Sequence, residues 1–77
     1  PNPSKGAFTL VLQNANSNVA QIEVVDMFGK MLLRKTALEI DAYGQIELNL
    51  SDLPAANYIV RITCGGTTTY TKISKIN

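Results

Sequence analysis

Cys64 is the only residue in this sequence that could act as a strong nucleophile. A cysteine becomes reactive beside a base or a positive charge, and the sequence contains no histidine. Cys64 also follows Tyr58, Val60 and Ile62 at every second position, which places the four side chains on one face of a predicted strand. We therefore predict a buried structural thiol and no catalytic residue.

The carboxylates are spread singly along the chain, at Glu23, Asp26, Glu39, Asp41, Glu47 and Asp52. A calcium loop needs several carboxylates at alternating positions, and no D-x-D-x-D spacing is present. Asp26 and Asp52 stand at the ends of predicted strands, where an Asp side chain commonly caps a turn. We expect these two carboxylates to act as turn caps, and we predict no metal site and no cofactor.

The charge composition excludes two classes of partner, nucleic acids and anionic membranes. The net charge is +1 and 17% of the residues are charged, which is too balanced for a nucleic-acid binder or for a protein that binds anionic membranes electrostatically. No apolar run approaches the roughly 20 residues that cross a bilayer. Together with the lack of catalytic groups, this balance predicts no nucleic-acid partner, no small-molecule substrate and no enzymatic activity.

The aromatic residues leave one alternative open. Phe8 and Tyr58 fall on apolar faces of predicted strands, whereas Tyr43 lies at a turn and Tyr70 on a polar strand. Exposed aromatic rings can stack on sugars. An immunoglobulin-like or fibronectin-like accessory module, which binds glycan or spaces the domains of an extracellular enzyme, is therefore the alternative function.

Length and apolar content predict one small globular domain. The chain has 77 residues, of which 45% are hydrophobic, and a single cysteine that cannot form an internal disulfide. Residues 1–6 are rich in turn formers, and we interpret them as the end of a linker. We expect residues 7–77 to be a single β-sandwich domain of a longer protein.

Alternating apolar residues predict six or seven antiparallel strands and no helix. The predicted strands are 7–12, 19–26, 31–36, a short charged edge strand at 37–42, 45–50, 58–64 and 67–73, and residues 74–77 form a tail. Gly29 and the Gly65-Gly66 pair mark hairpin turns. The Met31–Thr36 segment leaves its inward face uncertain by one register. This spacing of short strands is typical of an immunoglobulin-like β-sandwich.

The stretch from Leu48 to Ile62 predicts the corner of that sandwich. Two alternating runs flank Pro54, which has no backbone N–H donor, so we expect neither ladder to continue through it. Leu53 supplies an apolar side chain at the corner, and Tyr58 begins the next strand. We predict that the chain crosses here from one sheet to the other.

Four motifs in this order resemble the type A C-terminal sorting domains of the type IX (Por) secretion system. The matching residues are Asn2, Pro3 and Gly6 for N-P-x-x-G, then Asp26, Gly29 and Lys30 for D-x-x-G-K, then Leu53, Pro54 and Tyr58 for L-x-x-G-x-Y, and finally Lys72, Ile73 and Lys75 in a lysine-bearing last strand. Ala56 replaces the usual glycine of the third motif, and Asn57 is expected to take up the positive φ instead.

The resemblance implies a non-catalytic immunoglobulin-like domain at the C-terminus of a secreted bacterial cargo protein. Such domains direct the cargo from the periplasm across the outer membrane to the cell surface or the medium. The implied partners are the translocon, a sortase-like peptidase that cuts in the preceding linker, and the covalently linked N-terminal cargo domain.

Motif residues that build turns and corners are expected to be mainly structural, so we place recognition on the last strand and tail. Lys72, Ile73, Lys75 and Asn77 are the predicted recognition residues. A translocon component could pair with the edge of this strand or capture the terminal carboxylate. An exposed edge strand could also allow self-association.

Overall fold

The computed structural model describes residues 3–13 and 17–77, and those residues form strands, turns and loops. The seven strands are β1 (Pro3–Ser4), β2 (Ala7–Val11), β3 (Val19–Val25), β4 (Met31–Glu39), β5 (Gln45–Asn49), β6 (Ala56–Cys64) and β7 (Thr67–Lys75). Within these ranges no helix is long and apolar enough to cross a membrane. The all-β prediction is confirmed. Asn2, a predicted motif residue, and residues 14–16 of the predicted loop lie outside the described residues.

The strands form two sheets. The larger sheet has the order β1-β7-β6-β3-β4, and the smaller sheet pairs β2 with β5. Every pair is antiparallel except β1 with β7, where Pro3 and Ser4 run parallel to Ser74 and Lys75. This arrangement confirms the predicted immunoglobulin-like sandwich.

The core lies between the sheets and follows the period-2 pattern of the sequence. The buried apolar side chains are Phe8, Leu10, Ala20, Ile22, Val24, Ile40, Ile46, Leu48, Leu50, Tyr58, Val60, Ile62, Cys64 and Ile73. Alternate residues of β2, β3, β5 and β6 supply most of them, because successive side chains of a strand point to opposite faces.

The predicted corner is confirmed, because β5 belongs to the smaller sheet and β6 to the larger one. The Tyr58 hydroxyl donates a hydrogen bond to the backbone carbonyl of Pro54, which is the tyrosine corner found in many β-sandwiches. The expectation of a positive φ at Asn57 is wrong. Ala56 and Asn57 already belong to β6 and pair with Lys75 and Ser74.

Residues 31–42 differ from the prediction. The two predicted strands are one, β4, and the chain beyond Glu39 leaves the sheet. Two bulges interrupt β4: Leu32 has no residue opposite it, and Thr36 and Ala37 together face Gln21. A bulge adds one residue and so shifts the alternation. This explains why Leu32 and Leu33 both pack against the core.

Both ends of the chain extend further into the sheet than predicted. Ser74 and Lys75, placed in a tail by the sequence, continue β7. Pro3 and Ser4, within the proposed linker, form β1 beside them, and the Ile76 amide donates to the Ser4 carbonyl over 2.8 Å. The boundary between linker and domain at residue 6 remains a prediction.

Candidate functional site

Most of the motif residues lie at one end of the sandwich. Across the large sheet, Val25 pairs with Ile59, Ile59 with Lys72, and Ser74 with Pro3. The β3–β4 turn, the start of β6, the end of β7 and β1 are therefore neighbours. We name this region, formed by Pro3–Gly6, Asp26–Lys30, Ser51–Ala56 and Ile73–Asn77, the terminal end.

Asp26 builds the β3–β4 turn. Its Oδ1 atom accepts hydrogen bonds from the backbone amides of Phe28 and Lys30, both at 2.9 Å. The Asp26 amide donates to the Lys30 carbonyl, and Gly29 adopts a φ of 86°. The predicted cap and hairpin glycine are confirmed. The turn holds Phe28 in solvent, with 97% of the residue exposed.

A second turn, predicted at Tyr43, has the same construction, but the capping role of Asp41 was not recognised from the sequence. Asp41 Oδ1 accepts from the amides of Tyr43 and Gln45 at 2.8 and 2.9 Å, and Gly44 has a φ of 78°. The signal was present, since D-A-Y-G-Q repeats the Asp and Gly spacing of D-M-F-G-K. This turn joins β4 to β5 and lies at the opposite end from Asp26.

Gly6 joins β1 to β2 where the chain crosses between the sheets. Its carbonyl accepts from the Leu50 amide at 2.8 Å. Its φ is 146°, and a Cβ atom there would lie 2.8 Å from the Ser51 Cα. Real Cβ atoms do not come that close to a backbone carbon, so only glycine fits without a shift. Gly6 thus joins the start of the domain to the corner.

Leu53 and Pro54 of the corner are placed as their motif predicts. Leu53 is half-buried against the core, and its amide donates to the Leu50 carbonyl at 3.0 Å. Pro54 is exposed and holds Tyr58 through its carbonyl. Both residues shape the corner, and their mainly structural role remains a prediction.

The four predicted recognition residues differ in exposure. Ile73 is 1% exposed and pairs with Tyr58 inside the core, and Lys75 follows on the same inward face at 8% exposure. Lys72 and Asn77 are exposed. Strand alternation explains the difference, since Lys72 points to the outer face of the large sheet. A partner can therefore reach Lys72 and Asn77, while Ile73 and Lys75 hold the strand in place.

Charge is distributed unevenly along the sandwich. The terminal end and the adjoining Lys72 carry Lys5, Lys30, Lys72 and Lys75 against only Asp26 and Asp52. The opposite end carries Glu39 and Asp41 near the β4–β5 turn. The positive charge is therefore unevenly placed, with a net +2 over the terminal end taken together with Lys72. Such a field favours the approach of an acidic surface from this side.

Glu23 departs from the predicted pattern. Strand alternation places it outward, yet it is 8% exposed. Its Oε1 atom lies 3.1 Å from a guanidinium nitrogen of Arg61 on β6, and Arg34 faces it on β4. A carboxylate flanked by two arginine positions can be covered without leaving its charge unpaired. This group is part of the sheet surface and not of the terminal end.

The other candidate chemistries find little support. Cys64 is buried, as predicted, with its Sγ atom 3.7 Å from the Ser17 carbonyl. In residues 3–13 and 17–77 no three His, Cys, Asp or Glu side chains lie close enough to hold a metal ion. Tyr43 and Tyr70 are exposed but line separate grooves. The two rings do not form one sugar-stacking surface.

The geometry agrees with a comparison to known protein families. The model of one family, described as the secretion system C-terminal sorting domain, matches residues 1–76. No curated protein matches the chain. The family match covers all seven strands and all of the terminal end except Asn77.

Proposed function

This chain belongs to the secretion system C-terminal sorting domain family, and from that membership we propose that it is a non-catalytic export signal at the end of a secreted cargo protein. The type IX machinery carries the cargo through the periplasm and across the outer membrane to the cell surface or the medium. A sortase-like peptidase then removes the domain by cutting in the preceding linker.

One observation supports placing the signal at the terminal end. The last strand, the first strand, the Asp26 turn and the Tyr58 corner are far apart in sequence, yet they form one continuous surface. A partner that reads this surface recognises the folded domain, because an unfolded chain would separate its parts. Exposed Lys72 and Asn77 are the contact residues, beside Lys5 and Lys30.

A fusion experiment tests this function. Residues 1–77 are attached to the C-terminus of a periplasm-directed fluorescent protein in a host with the type IX system. Fluorescence at the surface or in the medium is expected, and retention in the periplasm would contradict the proposal. A host lacking the translocon is the control for leakage.

A matched pair of variants tests the contact residues. Lys72→Ala and Arg34→Ala each remove one positive charge from an exposed strand position, but Arg34 lies on β4. Export is expected to fall for Lys72→Ala and to persist for Arg34→Ala. Deleting Asn77 alone tests that residue, whereas a deletion from residue 76 would also remove the bond from the Ile76 amide to the Ser4 carbonyl.

A further inference from the structure

One edge of β7 is open over most of its length. β1 pairs only with Ser74 and Lys75, and among the described residues no strand pairs with the outer side of Thr67–Ile73. The Ile76 amide points to this side, since it donates to Ser4. Because backbone groups alternate along a strand, the N–H and C=O groups of Thr68, Tyr70 and Lys72 point there too.

The opposite edge of the same sheet is built differently. β4 carries two bulges, three charged residues and a positive φ at Ala37, all of which hinder the addition of another strand. β7 pairs with β6 over nine residues without a register shift and is rich in threonine. Its free edge has one charged residue, Lys72. The β4 edge is thus protected against pairing with another strand, and the β7 edge is suited to it.

A groove continues the open edge toward the smaller sheet. It has a volume of about 430 Å³ between β7 and β2. Its apolar lining includes Leu10, Val11, Leu12 and Ile62, and Thr69 and Thr71 add hydroxyl groups. Ile62 lies directly opposite Thr69 in the sheet. A strand added to β7 would place every second side chain over this apolar floor.

We propose that the open edge of β7 binds an extended strand of an export-machinery protein, one with apolar residues at alternate positions. The strand continues the line that β1 begins at Ser74 and Lys75, so it extends a pairing that the domain already contains. A second copy of this chain fits less well, because its own β7 would place threonine hydroxyls over Leu10 and Leu12. The identity of the partner as an export-machinery protein rests on the proposed function. The inference that this edge binds an extended strand does not.

Hydrogen exchange of the isolated 77-residue chain tests the edge. The probe is an acetylated peptide of about seven residues that alternates valine and threonine, and a peptide of the same composition with its valines in one block is the control. The alternating peptide is expected to slow exchange of the Thr68, Tyr70 and Lys72 amides by about tenfold or more. The Thr69 and Thr71 amides, which face β6, should not change.

Two variants at one position connect binding to export. Tyr70→Pro removes a donor from the open edge but none from the β6 ladder, and Tyr70→Thr removes only the ring. Circular dichroism must show both folded. Only Tyr70→Pro should lose peptide protection and export of the fluorescent fusion.

Three outcomes would overturn the proposal. In the first, the alternating peptide does not change the exchange rates of the Thr68, Tyr70 and Lys72 amides. In the second, the same amides become better protected as the protein concentration rises in the absence of peptide. That result would assign the edge to a second copy of this chain. The third is equal export of the two Tyr70 variants. The export machinery would then not bind this edge, although the proposed sorting function would still stand.

Discussion

The hydroxyl of Tyr58 donates a hydrogen bond to the backbone carbonyl of Pro54, four residues earlier in the chain. This bond joins the first buried side chain of β6 to the corner that brings the chain from the smaller sheet. Tyr58 is nearly inaccessible and faces Ile73 of the last strand. The corner and the C-terminal strand therefore share one anchor.

Tyr58→Phe removes this bond and keeps the ring. We expect the free energy of unfolding to fall by about 1–2 kcal/mol, because a part-buried carbonyl loses its partner. Urea denaturation followed by circular dichroism measures the change. Tyr43→Phe, at an exposed turn, is the control and should stay within about 0.5 kcal/mol of the parent. Equal values for the two variants would show that the bond contributes nothing.

Asp26→Ala leaves two turn amides without an acceptor. We expect a loss of about 1–3 kcal/mol, since both amides bond to a charged oxygen. Because the two bonds go to the same oxygen, Asp26→Asn can keep them and should recover most of the loss. Asp41→Ala should behave like Asp26→Ala, because its turn has the same bonds. An asparagine variant as unstable as the alanine variant would contradict this account.

Gly6→Ala places a methyl group against the Ser51 backbone. We expect a loss of about 2–4 kcal/mol from the collision together with the unfavourable φ. Gly29→Ala separates the two causes, since its φ is also positive but a Cβ atom there would meet no other atom within 4 Å. It should cost only about 1–2 kcal/mol. Similar losses for both variants would mean that the close approach to Ser51 relaxes freely.

Ala37 offers a substitution that stabilises. It is the one non-glycine residue with positive φ among the described residues, at 56° in a β4 bulge. Ala37→Gly relieves this conformation and should raise the free energy of unfolding by about 0.5–1 kcal/mol. Thr36→Gly, at the other residue of the same bulge but without a positive φ, should lower it, because glycine loses more conformational freedom on folding. A loss of stability in both variants would argue against the bulge.

Local chemistry explains which parts of the fold were predictable from sequence. The Tyr58 corner, the Gly29 turn and the Gly65-Gly66 hairpin depend on residues close together in the chain, and all three are confirmed. Alternation also identified the buried faces of β3, β5 and β6. These features need no knowledge of distant partners.

The errors occur where distant contacts or bulges decide the structure. β1 and the end of β7 depend on each other, and neither segment has an apolar pattern strong enough to predict a strand alone. The bulges of β4 shift the alternation of its apolar residues, so the sequence pattern predicted two strands where the structure has one. Glu23 is covered because Arg61 comes from a strand 38 residues away.

The parallel pairing of β1 with β7 determines how the domain responds to force. A pull between Pro3 and Asn77 acts along the two strands and loads the Ser4–Ile76 bond in shear, together with the contacts around it. A pull between Asn57 and Asn77 instead opens the antiparallel β6–β7 pair one bond at a time. Single-molecule stretching should therefore record a higher rupture force for the first pair of attachment points. The domain should therefore resist tension between Pro3 and Asn77 better than tension between Asn57 and Asn77.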